Sequence, residues 1–123
     1  MILNELSSEI ISASIKVHKT LGPGLLESVY ESALAHELRK KGCSVSCQEP
    51  IPVNYEGTIL QSGFRADMIV NDTVIIELKS IENILPLHKK QLLTYIRLAG
   101  KPLGLLINFN VEVLKDGITR IIN

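Results

Sequence analysis

Residues 74–79, VIIELK, alternate so little in polarity that both faces of an extended chain would be apolar. Only a strand covered on both sides accommodates that pattern. A second run of the same kind, LGLLINF at 103–109, follows a segment with helical punctuation: Pro86 suits a first helical position, and Gly100 before Pro102 closes the helix. Two covered strands joined by a helix make a crossover connection, which is parallel and right-handed. The chain is thereby committed to an α/β layered domain with a mixed sheet flanked by helices.

The remaining segments fit around that unit. Leu6, Ile10, Ala13, Val17 and Leu21 recur at helical spacing, so residues 4–20 read as an amphipathic helix that LGPG at 21–24 ends. A second helix runs from near Leu25 to about Lys41, with Leu26, Val29, Tyr30, Ala33 and Glu37 as its stripe and Gly42 as its stop. From Cys43 the period changes to two, and Pro50 and Pro52 suit an edge or bent strand. GTILQSG at 57–63 reads as a turn and approach segment. Residues 64–70 and 74–79 then form a core hairpin around Asn71, Asp72 and Thr73, and VEVLKDGITRII closes the chain as a hairpin or extended pair around Asp116-Gly117. The predicted order is α-α-β-β-β-α-β-β.

With 123 residues and no visible linker, repeat or low-complexity tract, residues 1–123 are expected to form one domain with its own core. Thirteen basic residues balance thirteen acidic ones, so any nucleic-acid contact must come from a local patch rather than a bulk field. No apolar run approaches a membrane span, and the N-terminal MILNELSSEIISASIK carries Glu5 and Glu9 without a basic leader, so a cytoplasmic location is expected. Cys43 and Cys47, four apart in a β-like stretch, would stand about 13 Å from one another, too far for a disulfide. They are expected to be reduced, partly buried thiols, and two cysteines without partner ligands make a poor zinc site. A possible homodimer contact is consistent with the positive mean hydropathy of +0.22.

Asp67, Glu77 and Lys79 are the residues that folding alone does not ask for in such a sheet. Glu77 and Lys79, two apart in a strand, share a face. Asp67 reaches that face only if the hairpin has an odd loop, with Val70 opposite Val74 and three residues in the turn; a two-residue turn would send it to the other side. Two carboxylates about 5 Å apart repel by about 3 kcal/mol at an effective dielectric of about 20. A salt-bridged sheet end would answer this, with Glu77 paired to Lys79 or Arg65 and Asp67 solvated. A hard divalent cation, which takes one or two carboxylates plus waters and phosphate oxygens, would answer it too.

Asp67 followed by Glu77-Leu78-Lys79 resembles the D...(D/E)xK signature of the PD-(D/E)XK nuclease superfamily, whose fold is restriction endonuclease-like; Ala66 stands where the superfamily's name has proline. GLLESVY, Gly24 to Tyr30, is similar to the G-x-x-E-x-x-Y pattern of the GxxExxY proteins within that superfamily. The resemblance implies a nuclease-like protein that uses Mg²⁺ or Mn²⁺ to hydrolyse phosphodiester bonds in nucleic acid, DNA foremost. It implies Asp67 and Glu77 as metal carboxylates, Glu27 as a helix-borne acid aimed at the metal, the Leu78 carbonyl as a further ligand, and Lys79 as the catalytic lysine. Gln91 and Tyr95 in QLLTY resemble a Q-x-x-x-Y motif in which the glutamine helps place the lysine or substrate.

The helical geometry is compatible with these roles. Glu27 lies about 80–100° from the centre of its helix's apolar stripe, and Gln91 and Tyr95 share a face with His88. Tyr30 falls within the stripe and is expected to pack. His18, His36 and His88 are expected at surfaces or helix ends. Lys16 and Lys19, the Arg39 to Lys41 group, and Lys89, Lys90 and Arg97 can supply phosphate contacts, Lys19 being the one assigned to substrate. With three tyrosines, two phenylalanines and no tryptophan, a stacking platform for single strands is poorly supported. The rival to a nuclease is a non-catalytic binding or dimerisation module that retains the fold.

Overall fold

The computed structural model describes residues 1–61 and 63–123. Helices α1 (Leu3–Leu21) and α2 (Glu27–Lys40) precede strands β1 (Val45–Tyr55), β2 (Thr58–Val70) and β3 (Val74–Lys79). Helix α3 (Pro86–Ala99), β4 (Leu103–Asn108) and β5 (Ile118–Ile122) follow. The five strands lie in one sheet in chain order. β3 and β4 are parallel and every other neighbouring pair is antiparallel, so the crossover through α3 is the one the apolar runs require.

Both faces of the sheet are covered, which is why its central strands carry no alternation. Met68, Val70, Val74, Ile76 and Leu78 pack with Leu103, Leu105 and Ile107 beneath α1 and α2, whose Leu6, Ile10, Val17, Tyr30, Leu34 and Leu38 complete the larger core. On the other face Ala66, Ile69, Ile75 and Leu106 pack against Leu92 and Ile96 of α3. Gly104 lets that helix come close, since a Cβ there would stand 2.9 Å from Leu92 Cγ and 3.0 Å from Ile96 Cγ2.

Four expectations need correction. The GTILQSG segment belongs to β2, which pairs with β1 from Tyr55↔Thr58 onward; β1 and β2 form a ribbon that outruns the sheet, since β2 meets β3 only through residues 68–70. The C-terminal segment is not a hairpin: residues 114–117 form a 3₁₀ turn, and β5 pairs with β4 instead. On α2, Leu26 and Val29 are exposed and the buried stripe is Tyr30, Leu34, Ala35 and Leu38, because the helix rolls towards α1 and the sheet through its later turns. His18 is at a helix end but buried, its Nε2–H donating to the Val111 carbonyl at 2.7 Å.

Cys43 is buried and Cys47 half-buried, both as free thiols. No helix is long and apolar enough to cross a membrane among the described residues. Ile76 is fully buried in the central strand. Replacing it with alanine should lower unfolding free energy by about 2–5 kcal/mol in denaturant titration, through lost burial and the cavity left behind.

Candidate active site

The hairpin register places Val70 opposite Val74 with Asn71, Asp72 and Thr73 between them, the odd loop that brings Asp67 towards Glu77. Asn71 and Asp72 carry positive φ, 50° and 53°, a conformation asparagine and aspartate tolerate better than most side chains. The ladder then stops one pair short of the acids, at Met68↔Ile76. Beyond that point side chains take the place of backbone partners. The Asp67 N–H donates to Glu77 Oε1 at 3.3 Å, and the Leu78 N–H donates to Asp67 Oδ2 at 2.9 Å. Each carboxylate thus satisfies an amide of the opposite strand, and β2 and β3 are held apart by the acids themselves.

A change of facing in β1 and β2 accompanies this opening. Met68 and Val70 pack on the α1/α2 side, while Ala66 and Phe64, at positions of the same parity, join the α3 side. Val45 and Cys47 differ from Ile51 in the same way. The pairing skips Gln48 and Asp67, and Gln48 has φ of 53°, so the ribbon turns over at these two residues. Asp67 consequently lies at the crossing between the faces.

On the α2 side a cavity of about 410 Å³ is lined by Glu27, Ser28, Glu31, Gln48, Asp67 and Leu78. Gln48 Nε2 donates to Glu31 Oε1 at 2.6 Å and to Asp67 Oδ1 at 3.3 Å. Glu31 and Gln48 were not anticipated from sequence. For Glu31 a signal was present, since it follows Glu27 by one helical turn and so shares its face. For Gln48 there was none, because its place depends on the ribbon's reversal.

Glu27, at the first turn of α2, is set by a closed circuit of contacts. Gly24, at φ of 91°, lets the α1–α2 loop turn in the left-handed region. The buried Tyr30 hydroxyl donates to the Gly22 carbonyl at 2.6 Å and accepts from the Leu25 N–H at 3.1 Å. Its ring stacks on Phe109 with centroids 4.3 Å apart, and the Phe109 N–H donates to the Lys79 carbonyl at 2.9 Å. Ser80 Oγ donates to the Leu25 carbonyl at 2.6 Å, closing the circuit. The start of α2 is therefore tied to the end of β3, immediately beside Lys79.

Burial, with the Asp67 charge next in importance, pushes the Glu77 carboxyl up to about 8; the Lys79 charge opposes this more weakly. Lys79 is half-buried, and among the described residues it has no ion-pair partner within 4 Å. Arg65 donates instead to the Gln48 carbonyl at 2.7 Å, so the alternative salt-bridged sheet end is not what forms. Across the sheet Tyr95 of α3 stacks on Phe64, and its hydroxyl is pushed up by burial and then by the Glu77 and Asp67 charges. Gln91 is exposed one turn earlier, and Lys19 lies exposed on the last turn of α1, outside the cavity lining.

The donor set suits a hard cation in type: two adjacent carboxyls, one of which is pushed up by burial and then by its neighbour's charge. Strand alternation turns the Leu78 carbonyl to the same side as its N–H, towards the gap. No three His, Cys, Asp or Glu side chains converge on one point among the described residues, so Glu27 stands on the cavity wall rather than in a three-carboxylate cluster. Two carboxylates and a carbonyl, completed by water, match the way Mg²⁺ is ordinarily held.

A model of the PD-(D/E)XK nuclease superfamily matches residues 4–121, and the chain belongs to that superfamily. Its five-stranded mixed sheet with flanking helices is the restriction endonuclease-like fold expected of a member. No curated protein and no solved structure matches the chain. Nucleases of this superfamily generally use divalent metal ions.

The Tyr30 circuit predicts that Tyr30→Phe keeps the fold and the Phe109 stack but leaves the Gly22 and Leu25 groups without their partner. Thermal or denaturant unfolding should register a loss of about 1–3 kcal/mol. The raised Glu77 carboxyl binds a proton in the folded chain that the unfolded chain releases above its ordinary value near 4.5. Its stabilising effect is complete below pH 4.5 and is lost as pH rises through 8. Between pH 5 and pH 8 metal-free protein should lose on the order of 3 kcal/mol by this route, and Glu77→Gln should flatten that part of the stability profile.

Proposed function

We propose that this chain is a Mg²⁺-dependent nuclease that hydrolyses phosphodiester bonds in DNA, with Mn²⁺ as an alternative ion. The observation that carries this reading is the reciprocal bonding of Asp67 and Glu77 across the opened β2–β3 gap, which leaves two carboxyls side by side with too little positive charge. Asp67, Glu77 and the Leu78 carbonyl would hold the ion, with Glu27 reaching towards it from the cavity wall. When bound, the ion supplies Lewis acidity at the scissile phosphate and lowers the pKa of a coordinated water.

The chain's own groups carry the remaining work. Glu77 gives up its proton as the cation binds, which completes the negative site only when the ion is present. Lys79 follows Glu77 by two residues on the same strand and has no competing acid bound to it. Its ammonium is free to orient the attacking water and to offset charge growing on the phosphoryl oxygens. Gln91 orients the lysine or the substrate from α3, Tyr95 contacts substrate, and Lys19 supplies a more distant phosphate contact. The superfamily match over residues 4–121 supports the nuclease class.

Calorimetric titration of Mg²⁺ and Mn²⁺ into the protein at pH 7 should give saturable heats with up to about one proton released per ion, read from buffers of different ionisation enthalpy. Asp67→Ala should abolish those heats. In parallel, Lys79→Ala should lower cleavage of DNA by about 10²- to 10⁴-fold. Negligible heats in wild type, or cleavage that survives in the lysine variant, would contradict the assignment.

A further inference from the structure

Beside the paired acids, on the α3 side, lies a second cavity of about 400 Å³ lined by Pro50, Gln61, Phe64 and Arg65. Its apolar wall is formed by Phe64 and Pro50. The Phe64 ring stacks on Tyr95 with centroids 4.0 Å apart and planes 8° from parallel. Phe64 precedes Asp67 by three residues on β2, so the stack stands on the strand that carries that acid. Arg65 is anchored by its bond to the Gln48 carbonyl, and the Gln48 amide donates in turn to Asp67.

Charge placement sharpens the point. Between Lys41 and Lys79 the chain has one basic residue, Arg65, and the ribbon from Glu49 to Phe64 carries Glu49 and Glu56 with no Lys or Arg. Such a ribbon cannot track a line of phosphates, which requires several cations. What it offers is a flat apolar face, a side-chain amide able to donate and accept, and one guanidinium. Those are the groups that hold a single planar heterocycle: a stacking surface for its π-face and polar partners for its edge.

Resting on the nuclease reading, we propose that this cavity receives one unpaired nucleobase next to the scissile phosphate, which makes single-stranded nucleic acid the substrate class. Phe64 supplies the stacking surface, Arg65 and Gln61 the edge contacts, and Tyr95 braces Phe64 from behind. A base locked in a duplex presents no free face to such a cavity and must first be unstacked.

The test is a titration of full-length protein into short single-stranded DNA and RNA oligonucleotides carrying 2-aminopurine, and into the same strands fully paired. It is carried out in EDTA so that neither metal nor cleavage contributes. The single strand of at least one sugar type should show quenched 2-aminopurine fluorescence and bind about tenfold or more tightly than its duplex. Phe64→Leu should weaken single-strand binding by about tenfold, and Arg65→Gln, at an exposed position, should weaken it several-fold without altering the melting temperature. Equal affinity for single and paired strands overturns the proposal, as do absence of quenching with both sugars and wild-type binding by both variants. Metal-dependent cleavage of duplex and single strand alike, without quenching, would sink the base site while leaving the nuclease assignment standing. Quenching without cleavage would do the reverse.

Discussion

The site depends on two carboxylates that replace backbone in a sheet. Past Met68↔Ile76 the β2–β3 ladder has no further rungs, and the Asp67 and Glu77 side chains accept the amide hydrogens that the next rungs would have used. An amide buried without a partner costs free energy comparable to a lost hydrogen bond, so the acids both open the gap and make the opening tolerable. The same substitution buries Glu77 beside Asp67, and burial first and the Asp67 charge second push its carboxyl up to about 8. Opening the strands and creating a demand for positive charge are one event.

Rigid packing on both faces keeps that arrangement from relaxing. The larger core under α1 and α2 holds Ile76 and Leu78 on either side of Glu77, while Asp67 is flanked by Met68 in that core and by Ala66 in the smaller one under α3. The Tyr30 circuit adds a direct link from the first turn of α2 to the end of β3. The G-x-x-E-x-x-Y spacing thus has a mechanical sense in this chain. Its glycine turns the loop, its tyrosine holds Gly22 and Leu25 of that loop against Phe109, and its glutamate rides on the first helical turn they fix.

Much of this was legible from local pattern. The doubly apolar strands and the helix between them were enough to give the crossover, and strict parity along a strand reduced the register to a choice between an odd and an even loop, which the structure decides as odd. The early part of α2 was misread, since Leu26 and Val29 look like core residues to any periodicity argument and are exposed at the helix entrance. His18 was misplaced because its burial requires the Val111 carbonyl, 93 residues away, as a partner. Asp116-Gly117 suits the turn of a local hairpin or extended pair, yet residues 114–117 form a 3₁₀ turn and the terminal strand pairs with β4.

The sequence by itself determined which strands would be covered on both faces and how far apart along a strand Glu77 and Lys79 would fall, because strand and helix periods follow from backbone geometry. Only the tertiary structure decided that β1 and β2 turn over at Gln48 and Asp67, that Glu31 and Gln48 join the cavity, and that Phe64 and Tyr95 meet beside the acids. Those outcomes arise where segments distant in the chain compete for the same space and the same hydrogen bonds. No local pattern records which of them prevails.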